Sequence, residues 1–299
     1  MYPWLSAIGQ QYARQFAQGR LHHAHLLYGP QGVGKRALAE YLSEALLCHH
    51  NEGMHPCGQC KSCQLNQAGT HPDSLVLSDE GASIGVDSVR AISDFVHHSA
   101  QQGGAKCIIV PEAQRMTVAA SNALLKTLEE PNAHCYLWLL SSDSATLPAT
   151  ILSRCAKQHV YIDDEHAVQQ WLTHHAAMAM ASAFAKHFIS QPLLLKHWQD
   201  NDELEQIQTL YQAVSQLQNG TDGHKLVDIL TQNSQYIAIF RLFVSQFLLQ
   251  QSQKGASFAS LQRCEQQLQR FSETLTQTSG LNITLAVSQL LRTLRREFQ

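Results

Sequence analysis

A chain of 299 residues with 44% hydrophobic and 15% charged side chains is too long for one core of ordinary size and too apolar for disorder, so two or three globular modules are expected. A formal net charge of -3 supplies no global field for holding DNA or an anionic membrane, which confines any nucleic-acid contact to a local surface or to partners. The most apolar run, starting at Tyr236, is broken by Arg241, and the first residues lack the charged-then-apolar layout of a secretion signal, so a cytoplasmic protein without a membrane span is expected.

From the start to about residue 162, short apolar runs alternate with segments of helical period. That alternation predicts an α/β module, a parallel sheet with helices on both faces. The strand runs are His25 to Gly29, Ser74 to Ser78, Lys106 to Val110, Cys135 to Ser142 and Ala156 to Ile162. Between them the spacing predicts helices from Lys35 toward Cys48, from Asp87 as an N-cap, and through "AASNALLKTLEE" until Pro131 stops it. After Asp163 only helical patterns remain, with a weaker break in the polar stretch His197 to Gln206. The expected organisation is a module at 1–162, a helical segment at 163–203 and an all-helical module at 204–299.

"GPQGVGKR", Gly29 to Arg36, carries seven of the eight letters of the phosphate loop G-x-x-x-x-G-K-[ST]. A strand, a glycine-rich turn and a helix starting near Lys35 form the setting in which backbone N–H groups and a helix N-terminus point at phosphate, so Gly29, Gly32, Gly34 and Lys35 are the candidate nucleotide-binding residues. Arg36 stands where a hydroxyl would ligate magnesium, and a guanidinium has no acceptor to offer a metal. Downstream, "CIIVPEA" puts Pro111 where a metal-holding aspartate is needed and leaves only Glu112. Hydrolysis of ATP on this chain is therefore not expected; weak nucleotide binding, or a loop that only joins strand to helix, both stay open.

"CHHNEGMHPCGQCKSC" spaces Cys48, Cys57, Cys60 and Cys63 as C-x8-C-x2-C-x2-C, a pattern that fits a closed tetrahedral zinc site. Gly58 favours the tight turn such a site requires, and His49, His50 and His55 inside the loop are expected to face solvent. Four sulfurs leave no open position for water, so the predicted role of the metal is structural. Farther on, "ILSRCAK" places Arg154 beyond the fourth strand run, as an ordinary surface ion pair or as a fork of donors for a γ-phosphate.

Taken together, "HLLYGPQGVGK", the cysteine cluster, "GTHPD", "IGVDSVR", "SNALLKTLEEP" and "SRC" resemble the clamp-loader branch of the AAA+ proteins over about the first 160 residues. Catalytic gamma-type relatives carry Ser or Thr after the loop lysine, a D-E pair after the strand, and a sensor arginine where this chain reads "ISQPLLL", Ile189 to Leu195. Three departures in three nucleotide-handling motifs fit a member that does not hydrolyse ATP. The resemblance implies an AAA+ P-loop domain, a helical lid at 163–203 and a helical collar at 204–299 that joins subunits into a ring. It implies that Arg154 is an arginine finger given to ATP on an adjacent gamma or tau subunit. It further implies gamma, tau and delta subunits of bacterial DNA polymerase III as partners, with the sliding clamp and primer–template DNA met through the assembled complex. Two other readings stay open: a gamma-like ATPase with an atypical magnesium site, and a stand-alone zinc-bearing adaptor.

Overall fold

The computed structural model describes residues 1–78, 81, 83–215, 223–232, 235–277 and 283–298. Five strands, β1 (Ala24–Tyr28), β2 (Ser74–Val76), β3 (Lys106–Val110), β4 (Cys135–Ser141) and β5 (Ala156–His159), form one sheet in the order β2-β3-β4-β1-β5. Every pairing is parallel, with Leu26 opposite Leu139 and Ile108 opposite Leu137. The three central strands read as continuous apolar runs because both of their faces are covered, whereas the edge strands are shorter and mixed.

Alternate residues serve the two faces. Leu26, Ile108, Val110, Leu137 and Leu139 pack with Val89, Ile92 and Val96 of α4 (Val86–His97) and with Ala120, Leu124 and Leu128 of α5 (Val118–Glu129). On the other face, Tyr12 of α1 (Ser6–Ala17) meets the Trp138 ring edge-on at 5.6 Å, and the Cys107 thiol lies 3.9 Å from the Ser43 carbonyl of α2 (Lys35–Leu47). Each fully buried Leu or Ile here contributes on the order of 1.5–3 kcal/mol of transfer free energy.

Helix starts follow local chemistry. Thr117 caps α5 through a bond from the Ala120 N–H, as its position before the helix requires. At α4 the expected cap is corrected: Gly85 is the N-cap, and Asp87 lies inside the first turn, paired with Arg90 at 3.0 Å. An acid in the first turn meets the positive end of the helix dipole without having to cap it, which is why the sequence pattern misled by two residues.

The chain divides into two compact units, Met1–Ala177 with His187–Lys196, and Met178–Lys186 with His197–Gln299. The residues expected as a lid, 163–203, are thus shared between both. In the first unit, α7 (Glu165–His175) brings Trp171 edge-on to Tyr2 and Trp4 near the chain start, at 5.4 and 5.3 Å. The second unit is helical in its described residues: α10 (Leu204–Ser215), α11 (Gly223–Gln232), α12 (Gln235–Gln253), α13 (Phe258–Gln277) and α14 (Ile283–Phe298). Val287, Leu290, Leu291 and Leu294 form the buried stripe of α14, while Leu249, Phe258 and Leu285 stay exposed on this unit. The start of the "SGLNITLAVSQLLRTL" stretch, residues 279–282, lies outside the described residues. No helix among the described residues is long and apolar enough to cross a membrane.

Candidate functional site

β1 delivers the chain into the phosphate-type loop at the carboxyl end of the sheet, the side on which parallel α/β folds bind ligands. Gly29, Gly32 and Gly34 have φ of 151°, 76° and 106°, conformations that L side chains rarely adopt. Space demands glycine as well: a Cβ on Gly29 would lie 2.1 Å from the Val160 carbonyl oxygen, and one on Gly32 would lie 2.9 Å from Leu194.

The loop's charged groups are engaged within the chain. Lys35 turns back, its ammonium donating to the Gly29 and Pro30 carbonyls at 2.6 and 2.8 Å. Burial lowers its pKa to about 8, with Glu112 pulling the other way. Arg36 points along its helix to Glu40 at 2.9 Å. Glu112, in a left-handed conformation after Pro111, pairs with Arg115 at 2.6 Å. The Ile189–Leu195 stretch, where the sensor arginine is missing, sits on the loop itself: the Leu193 N–H donates to the Gly32 carbonyl at 3.0 Å as α9 (Pro192–Asp200) begins. An aliphatic stretch seated on the loop provides no cation for a γ-phosphate.

At the far end of α2 the four cysteines come together. Cys48 follows the helix directly, Cys60 caps α3 (Lys61–Gln67), and Gly58 takes the positive φ of 72° that the tight turn needs. The four sulfurs lie within 4.8 Å of one another, with Cys48–Cys60 and Cys57–Cys63 both at 3.9 Å. Sulfurs on a tetrahedron about 2.3 Å from one zinc would sit about 3.8 Å apart, so the geometry fits a single metal ion. Backbone N–H groups of Cys57, Cys60 and Cys63 point at the sulfurs of Cys48, Cys57 and Cys60. Burial opposes ionisation of Cys60, yet the N–H groups of Cys63 and His49 and the neighbouring thiols bring its pKa to about 6. His49, His50 and His55 are exposed, as expected.

The "GTHPD" stretch anchors this module. Ser62 donates to the Leu47 carbonyl at 2.6 Å and bonds His71 Nε2 at 2.7 Å, while His71 Nδ1 accepts from the Asp73 N–H at 3.0 Å. The Asp73 carboxylate accepts from the N–H groups of Gln101 and Gln102, each at 2.8 Å.

Arg154 lies between α6 (Ala149–Leu152) and β5, ahead of the fifth strand. Its Nη2 meets Glu129 Oε1 at 2.6 Å, and its Nη1 donates to the Thr150 carbonyl at 3.1 Å and the Ser153 hydroxyl at 3.3 Å. The side chain as a whole stays about one third exposed, at 35%. Sequence reasoning missed Glu129; its signal was an acid in the last turn of a helix, 25 residues before a lone arginine.

Comparison with known proteins gives the family. A family model described as DNA polymerase III, delta subunit, matches residues 5–163. Curated relatives named DNA polymerase III subunit delta' include one from Pseudomonas aeruginosa, 46% identical over 176 residues, covering 58% of this chain and 52% of the relative. Another, from Escherichia coli K12, is 39% identical over 186 residues, 62% of this chain and 56% of the relative. The tau/gamma subunit of Haemophilus influenzae is 35% identical over 172 residues, covering 56% of this chain and 25% of that protein. The chain spans about half the length of the delta' relatives it matches. For the fold, a DNA polymerase III gamma subunit-related protein from Thermotoga maritima superposes with a TM-score of 0.53 at 18% identity, covering 99% of this chain and all of the other. With a parallel sheet and its glycine-rich loop on one side and these matches on the other, the chain belongs to the delta-prime family of DNA polymerase III subunits.

Proposed function

We propose that the chain is the non-hydrolysing subunit of a clamp loader and lends Arg154 to ATP held by an adjacent gamma or tau subunit. The observation that carries this reading is the state of the loop: Lys35, Arg36 and Glu112 are all engaged by their own chain, whereas Arg154, although paired with Glu129, makes bonds that leave guanidinium N–H donors over for a phosphate. A rigid fork of N–H donors suits charge developing on a transferring γ-phosphoryl group, and such fingers contribute on the order of 10³ to 10⁵ in rate. The delta subunit, the sliding clamp and primer–template DNA complete the proposed set of partners, met in the assembled cytoplasmic complex. We assign Cys48, Cys57, Cys60 and Cys63 to one structural zinc ion, which holds the excursion between α2 and α3. Gly29, Gly32, Gly34 and Lys35 are read as a loop kept for the fold.

The test is reconstitution of the complex with Arg154→Ala. Assembly is expected to be unchanged and ATP turnover at the interface it serves to fall on the order of 10³; wild-type turnover would reject the finger. The chain alone, given ATP and magnesium, is expected to hydrolyse none.

A further inference from the structure

α5 ends in "TLEEP", so Glu129 is a carboxylate in the last turn of a helix, where the dipole presents its negative end. An acid there is locally unfavourable, and Lys126 is the residue of that turn that suits the dipole. Residues that break a local rule are retained when something else depends on them. What Glu129 meets is the guanidinium of Arg154, at 2.6 Å.

The contact is arranged to hold the fork without using it up. Arg154 spends one Nη2 N–H on Glu129 and its Nη1 group on the Thr150 carbonyl and the Ser153 hydroxyl. Of the five N–H donors of a guanidinium, the Nε–H and one Nη2–H are not needed for these bonds. Glu129 and the last turn of α6 thus grip the arginine from two sides, one by charge and one by a helix carbonyl. An exposed ion pair is worth little to stability, so its value here would be orientation.

We propose that Glu129 is a positioning residue for Arg154: it fixes the direction of the guanidinium before a neighbouring subunit's nucleotide meets it. This rests on the reading of Arg154 as a finger acting in trans. A group displaced by as little as 1 Å can cost about a hundredfold in rate, so a carboxylate that sets the angle of the fork acts on turnover rather than on assembly.

The experiment is a cycle in the reconstituted complex with Arg154→Ala, Glu129→Gln and both together, read by single-turnover ATP hydrolysis, by nucleotide affinity and by size-exclusion for assembly. Glu129→Gln is expected to slow hydrolysis by between about ten- and a hundredfold. Nucleotide affinity and assembly should stay at wild-type levels, with no further loss when Arg154 is already alanine. In the isolated chain, 15N relaxation of the Arg154 Nε–H should show an ordered side chain in the wild type and a mobile one in Glu129→Gln. Normal turnover in Glu129→Gln beside a large loss in Arg154→Ala would leave the finger and remove its positioning residue. An additive loss in the double variant would also overturn the proposal, because Glu129 would then act elsewhere. Wild-type turnover in Arg154→Ala would sink both readings at once.

Discussion

The two ends of α2 carry two motifs that look equally chemical in sequence and have opposite characters in space. At its start, the loop around Lys35 has its charges answered from within: the ammonium by Gly29 and Pro30 carbonyls, Arg36 by Glu40, Glu112 by Arg115. At its end, four sulfurs converge within 4.8 Å, met by backbone N–H groups and by one another. The difference teaches that a motif's letters do not report its state. What does is whether the chain itself satisfies the groups or gathers them around a demand it cannot meet.

Removing a ligand from the unmet end breaks the comparison most severely. Cys60→Ser is expected to abolish stoichiometric zinc, measured by metal analysis of the purified chain, and to cost on the order of 5 kcal/mol of stability in denaturant titration. Retained zinc with unchanged stability would show that the cysteines merely pack. At the satisfied end the largest effect is steric: Gly29→Ala pushes a Cβ against the Val160 carbonyl of the segment leaving β5, at a cost of about 2–4 kcal/mol read as a lowered Tm. Nucleotide has no part in that loss, so Mg-ATP should not restore it.

The smallest effect is the most pointed. Lys35→Met is expected to stay within about 1 kcal/mol of wild type at pH 7, because the relief of a partly buried charge offsets the lost hydrogen bonds. The folded pKa of Lys35, about 8, lies below its unfolded value of 10.5, so the unfolded chain binds more protons between them. Wild-type stability therefore gains from this group as pH rises through that window, and Lys35→Met should lack that gain in urea midpoints. A strong loss of stability in Lys35→Met would mean that the ammonium braces the loop rather than merely being accommodated by it.

Much of the first unit was legible because its chemistry is local. The three central strands announced themselves as apolar runs bounded by turn residues, and the C-x8-C-x2-C-x2-C spacing named all four converging sulfurs. What sequence could not show is what arrives from a distance. Nothing in "ISQPLLL" reveals that its Leu193 N–H bonds Gly32, about 160 residues earlier, or that Glu129 waits for Arg154. The Asp87 cap failed for a different reason, since the first turn and the cap favour the same residue types. In the helical second unit, Leu249, Phe258 and Leu285 are exposed where amphipathic period alone gives only an average face.

The bonds at His71 have a chemical direction. Ser62 gives its single proton to the Leu47 carbonyl, so it can only accept from the Nε2–H, and Nδ1, receiving the Asp73 N–H, must carry a lone pair. One neutral tautomer satisfies all three bonds, and burial lowers the ring's pKa in keeping with it. Both nitrogens are thereby spoken for, so of the histidines around the cysteine module His71 has no lone pair left to offer a metal ion.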